Sequence, residues 1–509
     1  MKKFFDKTVT GEWFLDFKNN TSGDEGRRLD SLSIQSSQLK ELGDFLTKIL
    51  EQYSVCNSDS QLSLICNADG IIDGNLQEFI DFIEQGKKRV RPSLSLSLDP
   101  CFFVNKLAGI IKANGTVETL LMPFKSPLLN DRINSFLSAN IGTLLLVDLN
   151  VVQSCIKQAR VMLFENSSHK KHHTERFFIT GMGYASQYER NKNEYLTNLS
   201  KEERPKISND KSERWLKETL QEACSQSGLD IDKLSNEDTF FVVCCKVPQF
   251  NSSDKLWLSS RMKNTGINNS NVIYISMACA SVAFGLKIAI EMLSPNKYNR
   301  CVVVAAEYPN DMEKISMLSL LALSPDNKLL PFDIDRNGTA LGYGAGAIIV
   351  EKSVSAKCSF AVELEDVQTK IGDLTSAKVD TNIVSELIEQ IQDIRKTDLY
   401  IAHATGTKQG DEAEWTAVNS IDFVKKIPVW ANKGYCKHLL YASGMPSICA
   451  AILFMKYGVV PKIKGLNSFA FSSDHCFPLM DSFSEDINNV VLGMFGFSGC
   501  NAVMKLKKI

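Results

Sequence analysis

The sequence of 509 residues predicts an α/β fold whose chemistry lies at the ends of strands. Three apolar runs, at residues 272–275, 398–402 and 427–430, have the length and composition of buried strands. A cysteine or a histidine follows each of them: Cys279, His403 and His438. Open α/β sheets place their reactive groups beyond the carboxyl ends of the strands. We therefore expect these three side chains to meet in one site.

Cys279 stands between the apolar run 272–275 and a helix-like stretch at 282–293, so its thiol is predicted to lie in a strand-to-helix turn. The first amide groups of a helix have no intrahelical acceptor and carry partial positive charge, which favours a thiolate and can bind an oxyanion. A small buried thiol in a tight turn is the alternative for an isolated cysteine. The two downstream histidines favour the nucleophile.

The six histidines of the chain divide by their surroundings. His403 and His438 follow the buried-strand patterns. Three others fall in the polar stretch 166–175, which has no apolar periodicity and is predicted to be a linker, and one is predicted to lie on the surface. These four are His169, His172, His173 and His475.

Five short blocks occur in order along the larger, C-terminal part of the chain. They are MACAS around Cys279, PFDIDRNG from Pro331 with GAG at 344–346, HATGTKQGDEAE from His403, K-x4-H from Lys433 to His438, and FGFSGCN from Phe495. On these blocks, residues 176–509 resemble the β-ketoacyl synthases of the elongating type, within the thiolase superfamily. The resemblance implies a thiolase-like layered αβαβα architecture, with two mixed sheets and with helices between and outside them.

The resemblance also implies a role for each residue of the blocks. Cys279 is expected to be acylated, and its backbone NH and that of Phe497 are expected to form the oxyanion hole. His403 and His438 are expected to support decarboxylation of a malonyl thioester, and Lys433 to order the site. Such a set suits carbon–carbon bond formation, because a thiolate takes an acyl group and two neutral imidazoles can donate hydrogen bonds to an enolate.

Further positions match the family by their place in the block that begins at His403. Thr405 and Thr407 are expected to contact the phosphopantetheine arm, and Asp411 and Glu414 match carboxylates that support the site from behind. No cofactor of the chain's own is expected, because the phosphopantetheine belongs to the partner acyl carrier protein. No metal is expected either, since the fourteen cysteines show no metal-ligand spacing.

Four positions depart from the pattern of the family. Glycines that the family has before the second histidine and after the first are Lys437 and Ala404, and a glutamate of the EGAG block is Tyr343. Ser447 stands where an elongating enzyme often has a glutamate. Because long lysines usually extend towards solvent, we expect the Lys437 ammonium to point away from His438.

Residues 1–165 are predicted to form an α/β segment of their own. Strand patterns lie at 62–66, 120–122 and 144–147, and helix patterns at 76–83, 104–111 and 128–137. A faint similarity to the approach to Cys279 places Met122 over Met277 and Phe124 where the cysteine would be. On that alignment the segment is a degenerate ketosynthase-like half without a nucleophile. An unrelated α/β extension is the alternative.

Composition fits an ordinary globular enzyme. A formal charge of −2 gives no basic excess for nucleic acid, and no run of about 18 apolar residues is present. The scattered cysteines favour reduced thiols. We expect a cytoplasmic protein without a membrane span that works with an acyl carrier protein, as a homodimer or with another ketosynthase-like chain.

The favoured function is decarboxylative Claisen condensation of a Cys279-bound acyl group with a malonyl unit on an acyl carrier protein. The departures and the N-terminal segment favour specialised polyketide synthesis over fatty-acid synthesis. Two alternatives remain open: acyl transfer to an oxygen, nitrogen or sulfur nucleophile, and a non-catalytic partner subunit similar to a chain-length factor. The glycine-rich run 342–346 leads into a strand pattern rather than a helix, which argues against a dinucleotide loop.

Overall fold

The computed structural model describes most of the chain. The described residues are 3–4, 7–16, 31–52, 61–67, 100–122, 124–140, 142–152, 155–166, 175–186, 210–245, 271–294, 297–307, 322–372, 379–496 and 499–509. The predicted helix at 76–83, the histidines of the predicted linker and Phe497 fall outside them.

The described strands are numbered in chain order. They are β1 Lys3–Phe4, β2 Lys7–Asp16, β3 Leu62–Asn67, β4 Val117–Leu120, β5 Gly142–Val152, β6 Cys155–Asn166, β7 Phe178–Ser186, β8 Thr239–Cys244, β9 Val272–Ile275, β10 Arg300–Glu307, β11 Gly344–Glu351, β12 Val362–Ile371, β13 Leu399–Ala402, β14 Ile427–Ala431, β15 Val459–Val460, β16 Cys476–Pro478, β17 Phe483–Ser484, β18 Asn489–Phe495 and β19 Cys500–Lys508.

The described α-helices are numbered in the same way. They are α1 Ser31–Gln52, α2 Pro100–Ile110, α3 Pro127–Ala139, α4 Asp210–Ser227, α5 Ser281–Leu293, α6 Thr381–Glu389, α7 Lys408–Asn419, α8 Lys433–Cys436 and α9 Gly444–Tyr457. None of the helices in these ranges is both long enough and apolar enough to span a membrane.

One strand arrangement occurs three times along the chain. In each case two parallel pairings are followed by two antiparallel pairings. The orders are β4-β3-β5-β6-β2 in the first unit, β9-β8-β10-β11-β7 in the second and β14-β13-β18-β19-β12 in the third, which β16 extends beside β14. We call these the first, second and third units, covering residues 7–166, 178–351 and 362–508.

Adjacent units are joined by hydrogen-bonded strands. The second and third units meet where β12 pairs antiparallel with β7, Val362 opposite Ile179. The first and second units meet where β4 pairs antiparallel with β9, Leu120 opposite Ile275. The five-strand pattern of the second unit is therefore continued at both of its edges.

Burial of the central strands follows from their sequences. Each residue of β8 is buried, and β13 and β14 are buried throughout, as expected of strands with helices on both faces. Helix α5 is apolar on nearly all sides and lies inside the molecule, with only Lys287 and Ile290 partly exposed.

Most elements that the sequence predicts are present. The strands before Cys279, His403 and His438 and the helix after Cys279 are confirmed. In the first unit the strand expected at 120–122 is β4, which ends at Leu120, and the strand expected at 144–147 is the longer β5. The run 342–346 enters β11, so the strand prediction there is confirmed.

A buried ion cluster joins the first and second units. Arg132 of α3 donates from Nε and Nη2 to the carboxylate of Glu118 and from Nη2 to Glu291 Oε2 at 2.6 Å. Lys287 lies one helical turn from Glu291, at 3.3 Å. Arg132 and both carboxylates are almost completely shielded from solvent, so each charge depends on the others for stabilisation.

Arg132→Met should destabilise the protein strongly, because it leaves two buried carboxylates without their shared cation. We expect a loss of about 3–5 kcal/mol in the free energy of unfolding, measured by urea denaturation. Lys297→Met is the matched control: its bond to Asp131 is largely exposed and should contribute under about 1 kcal/mol. Equal unfolding midpoints for the two variants would contradict a stabilising role of the buried cluster.

Candidate active site

Cys279 lies in a tight turn between β9 and α5. The turn is a single 3-10 turn over Ala278–Ala280, and Ala278 adopts a positive φ of 47°. The Ser281 hydroxyl accepts a hydrogen bond from Met277 N at 2.9 Å and donates one to Ala278 O at 2.7 Å. This hydroxyl closes the turn on itself. Cys279 is thereby held at the N-terminal end of α5, where the helix dipole favours negative charge.

Gly496 makes a close approach to this turn. A Cβ built on Gly496 would lie 3.1 Å from both Ala278 Cβ and Cys279 N. The Gly496 amide donates to Cys500 O at 2.7 Å, which holds the loop after β18 against the start of β19. A side chain at position 496 would therefore require the backbone of Cys279 or the Ala278 side chain to shift.

His403 begins the segment that follows β13, and Glu414 of α7 fixes its backbone. Glu414 accepts hydrogen bonds from His403 N at 2.7 Å, from Ala404 N at 2.8 Å and from Tyr400 Oη at 3.2 Å. Burial raises the pKa of Glu414 to about 7 in spite of these donors. This carboxylate sets the direction in which the His403 ring leaves the strand.

Asp411 supports the next part of the same segment. Its carboxylate accepts from Gly406 N at 3.0 Å and from Phe332 N at 2.9 Å, so it ties the His403 loop to the PFDIDRNG segment. Burial raises its pKa to about 6. Both carboxylates predicted behind the site, Asp411 and Glu414, are buried and bind backbone amides there.

Lys433 is a buried ammonium at the start of α8. Its Nζ donates to the backbone oxygen of His403 and lies 3.2 Å from His403 Nδ1. Burial lowers the pKa of Lys433. With the ammonium directed at Nδ1, the neutral His403 ring carries its hydrogen on Nε2.

The His438 ring has the same tautomer as His403, but different groups fix it. Its Nδ1 accepts a hydrogen bond from Leu440 N at 2.9 Å and lies 3.2 Å from Ser443 Oγ. An amide can only donate, so Nδ1 is the acceptor and Nε2 carries the hydrogen. The backbone of His438 is held against the segment before β11, where His438 N donates a hydrogen bond to Ala340 O.

Both imidazoles are neutral. Burial, followed by the charges of Lys433 and of His438, holds the pKa of His403 well below its usual value. Burial and Lys433 do the same to the pKa of His438. The two rings stand perpendicular with centroids 5.7 Å apart. Each therefore offers an Nε2–H donor at neutral pH.

The structure brings the three predicted strand-end residues together. Cys279 Sγ and one ring nitrogen each of His403 and His438 lie within 4.8 Å of one another, and all three residues are buried. Three such donor atoms could in principle hold a soft cation. Their surroundings favour hydrogen-bond donors instead, because the Nδ1 partners hold the hydrogen of both rings on Nε2 and Lys433 adds positive charge.

Thr405 and Thr407 lie at the outer side of the site. Their hydroxyls are 2.9 Å apart, and the two residues stand between the buried histidine and the exposed start of α7. Their place is compatible with the expected contact to a phosphopantetheine arm, which stays a prediction.

Two parts of the chain match the two domains of one protein family. Residues 269–356 match the family described as "Beta-ketoacyl synthase, N-terminal domain". Residues 369–467 match "Beta-ketoacyl synthase, C-terminal domain". These two stretches are therefore similar to the two domains of a β-ketoacyl synthase. The expectation from the sequence is confirmed, and the site described above lies within and just beyond the matched residues.

Individual relatives have low sequence identity to this chain. The "3-oxoacyl-[acyl-carrier-protein] synthase 1" of Buchnera aphidicola subsp. Schizaphis graminum is 25% identical over 279 residues, which cover 52% of this chain and 67% of that protein. The module 6 ketosynthase of the Bacillus subtilis 168 bacillaene synthase has a TM-score of 0.57 at 18% identity, covering 66% of this chain and 72% of that one.

A second solved structure is matched by this chain over almost its whole length. The ketosynthase in the AntDE:AntF structure, described as bound to a hexaketide and in complex with its type II polyketide acyl-carrier protein, has a TM-score of 0.56 at 19% identity, with 66% of this chain and 99% of that one covered. These structures confirm the thiolase-like α/β fold.

Some functional residues were not singled out from the sequence. Ser281 closes the nucleophile's turn, Ser443 lies against His438 Nδ1, and Gly496 makes room for Cys279 N. Ser281 and Ser443 stand in small-residue turns after the predicted strands, which is the signal that could have identified them. Phe497, the second predicted oxyanion donor, lies outside the described residues, so its role stays a prediction.

Two of the four departures from the family pattern occur where the backbone is unusual. Ala404 has a φ of 29° and Lys437 a φ of 62° with ψ of −169°, both in regions that favour glycine. Lys437 is half-buried, and the cation that lowers the pKa of His438 is Lys433. His475 is exposed, as predicted.

Lys437→Gly should be more stable than Lys437→Ala, since both remove the charge but only glycine adopts this φ and ψ without strain. We expect a difference of about 1–3 kcal/mol in the free energy of unfolding, determined by urea denaturation of the two variants. If the alanine variant were as stable as the glycine variant, position 437 would carry no backbone strain.

Proposed function

We propose that the chain catalyses decarboxylative Claisen condensation between an acyl group on Cys279 and a malonyl unit on an acyl carrier protein. The observation that carries the proposal is that the Cys279 thiol and one ring nitrogen of each of two neutral imidazoles lie within 4.8 Å of one another. Similarity to the two synthase domains supports a condensing role.

The first step is acyl transfer to the thiol. The Cys279 thiolate attacks the carbonyl carbon of an acyl thioester, the tetrahedral oxyanion collapses, and the pantetheine thiolate leaves and takes up a proton. The position of Cys279 at the start of α5 favours the thiolate, and its backbone NH, together with that of Phe497, is proposed to bind the oxyanion.

The second step is decarboxylation of the malonyl thioester. Loss of carbon dioxide leaves its electron pair on the α carbon, and the negative charge is shared with the thioester oxygen as an enolate. His403 and His438 are proposed to donate hydrogen bonds from Nε2 to this oxygen. Neutral rings suit the task, because an imidazolium is a far stronger acid and would protonate the carbanion much more readily.

The third step forms the carbon–carbon bond. The α carbon attacks the carbonyl carbon of the acyl-Cys279 thioester, and the Cys279 thiolate leaves as the β-keto thioester forms on the carrier. Lys433 is a positioning residue in this scheme, because its ammonium keeps the His403 hydrogen on Nε2. The acyl carrier protein is the proposed partner, with Thr405 and Thr407 facing its phosphopantetheine arm.

Cys279→Ala should abolish acyl loading, because no other described thiol lies beside both histidines. Intact-protein mass spectrometry after incubation with an acyl carrier thioester measures the acyl adduct. Cys436→Ala is a matched control, since this thiol is also buried close to Lys433 but is predicted to carry no acyl group. An acyl adduct that persists in Cys279→Ala would exclude the proposed nucleophile.

Replacing both histidines should separate the two half-reactions. Acylation needs the thiolate and the oxyanion hole, whereas decarboxylation needs the two Nε2–H donors. We expect His403→Ala and His438→Ala each to lower condensation by about 10² or more while some loading of Cys279 remains. The measurement is the yield of β-keto product and of carbon dioxide from malonyl carrier protein.

Other outcomes identify the alternatives. A double histidine variant that consumes malonyl carrier protein at the wild-type rate would contradict condensation at this site. Loading of Cys279 without decarboxylation in the wild type, followed by release of the acyl group to an added alcohol, amine or thiol, would identify an acyltransferase. A wild-type chain that neither loads nor condenses would be a non-catalytic partner subunit.

A further inference from the structure

The first and second units face each other with two-fold symmetry at the level of single hydrogen bonds. Leu120 and Ile275 are opposite one another, and each is the last residue of its strand, so positions correspond with an offset of 275 − 120 = 155. Leu121 N donates to Tyr274 O at 2.9 Å, and Ser276 N donates to Thr119 O at 3.2 Å. When the residues of the two units are matched by this offset, the two hydrogen bonds are equivalent to each other by the two-fold symmetry.

The elements behind the two strands correspond in the same way. Strand β4 leads through a turn into α3, and β9 leads through a turn into α5, and the two helices pack together across the junction. Arg132 of α3 binds Glu291 of α5 there. The apolar cores on both sides form one continuous cluster, which includes Leu129 and Ile133 of the first unit and Val282 and Leu286 of the second.

The turn of the first unit carries no cysteine where the second unit has Cys279. The offset of 155 places Phe124 at the position of Cys279. Instead of a reactive group, this turn holds a buried structural network: Asn67 bonds Met122 N and Met122 O, and Asp148 accepts from Asn67 Nδ2 and Lys125 N. The network ties this turn to β3 and β5 through backbone contacts.

The first unit also reaches the catalytic turn of the second from behind. Asn105 of α2 is completely buried, and its Nδ2 lies 3.6 Å from Cys500 Sγ. The Cys500 carbonyl in turn accepts the Gly496 amide, and Gly496 packs against Cys279 N. One chain of contacts therefore connects α2 with the backbone of the nucleophile.

We propose that residues 7–166 are an in-chain, catalytically silent counterpart of a second synthase subunit. They occupy the edge of β9, which a second copy of the chain would otherwise have to pair with, and they support the loop behind Cys279. The proposal is independent of which acyl reaction the site performs. It also makes one polypeptide sufficient for a complete site, in place of the two chains expected from the sequence.

A zero-length cross-link tests the arrangement in the unmodified chain. Lys297 Nζ, which is largely exposed, lies 2.6 Å from Asp131 Oδ2 across the junction. A water-soluble carbodiimide should join the two as an amide with loss of water, and the product should keep the mass of a single chain, 56.7 kDa, on denaturing analysis. Asp131→Asn is the control that removes the reactive carboxylate.

Each result of this experiment bears on the proposal. An Asp131–Lys297 amide in single-chain product, identified by peptide mass spectrometry, supports it. The same amide only in product of doubled mass would mean that the first unit pairs with another copy, and the proposal would be overturned. Absence of the amide in the wild type, under conditions that couple other adjacent acid–lysine pairs, would overturn it as well.

A second measurement tests the support given to Cys279. Asn105→Leu keeps the side-chain size but removes the contact to Cys500, so we expect alkylation of Cys279 by iodoacetamide to slow by about threefold or more. Lys106→Leu changes the next residue of α2, which faces Phe102 and solvent, and should leave the rate unchanged. Equal rates in wild type and in a folded Asn105→Leu variant would refute the supporting role.

Discussion

The contact of the Lys433 ammonium with His403 is the constraint on which the site depends. A buried cation beside a buried imidazole excludes a second positive charge, so His403 stays neutral and its hydrogen is held on Nε2. The other contacts of the site are consistent with this charge and this tautomer. Glu414 fixes the backbone that carries the ring, and Leu440 N imposes the same tautomer on His438. Two neutral rings with the same tautomer therefore lie beside one thiol.

Much of this site could be predicted from the sequence, because its signals are local. Cys279 and His403 follow short apolar runs directly or within a turn, and the strands are present as β9 and β13. Lys433 is identified through the family resemblance alone, since a lysine in a short segment after a strand has no periodic signature of its own. Asp411 and Glu414 are likewise identified through the block that begins at His403.

Contacts between distant parts of the chain could not be predicted in the same way. Arg132 meets Glu291 across 159 residues, and Asn105 meets Cys500 across 395. Arg132, Glu291 and Asn105 are polar residues within ordinary helix sequence, so their burial is visible only in the folded chain. The bounds of β4 also differ from the prediction, because the apolar run of residues 120–122 continues past the last strand residue into the turn.

Arg132 shows what a single chain permits at a junction with two-fold symmetry. In a dimer of identical chains every substitution appears on both sides of the two-fold axis. An arginine that binds a carboxylate on one side must therefore also fit at the equivalent position on the other side. Here the offset of 155 makes Lys287 the symmetry equivalent of Arg132, and Phe136 the symmetry equivalent of Glu291. The two faces can therefore change independently of each other, and one can lose its chemistry while the other keeps it.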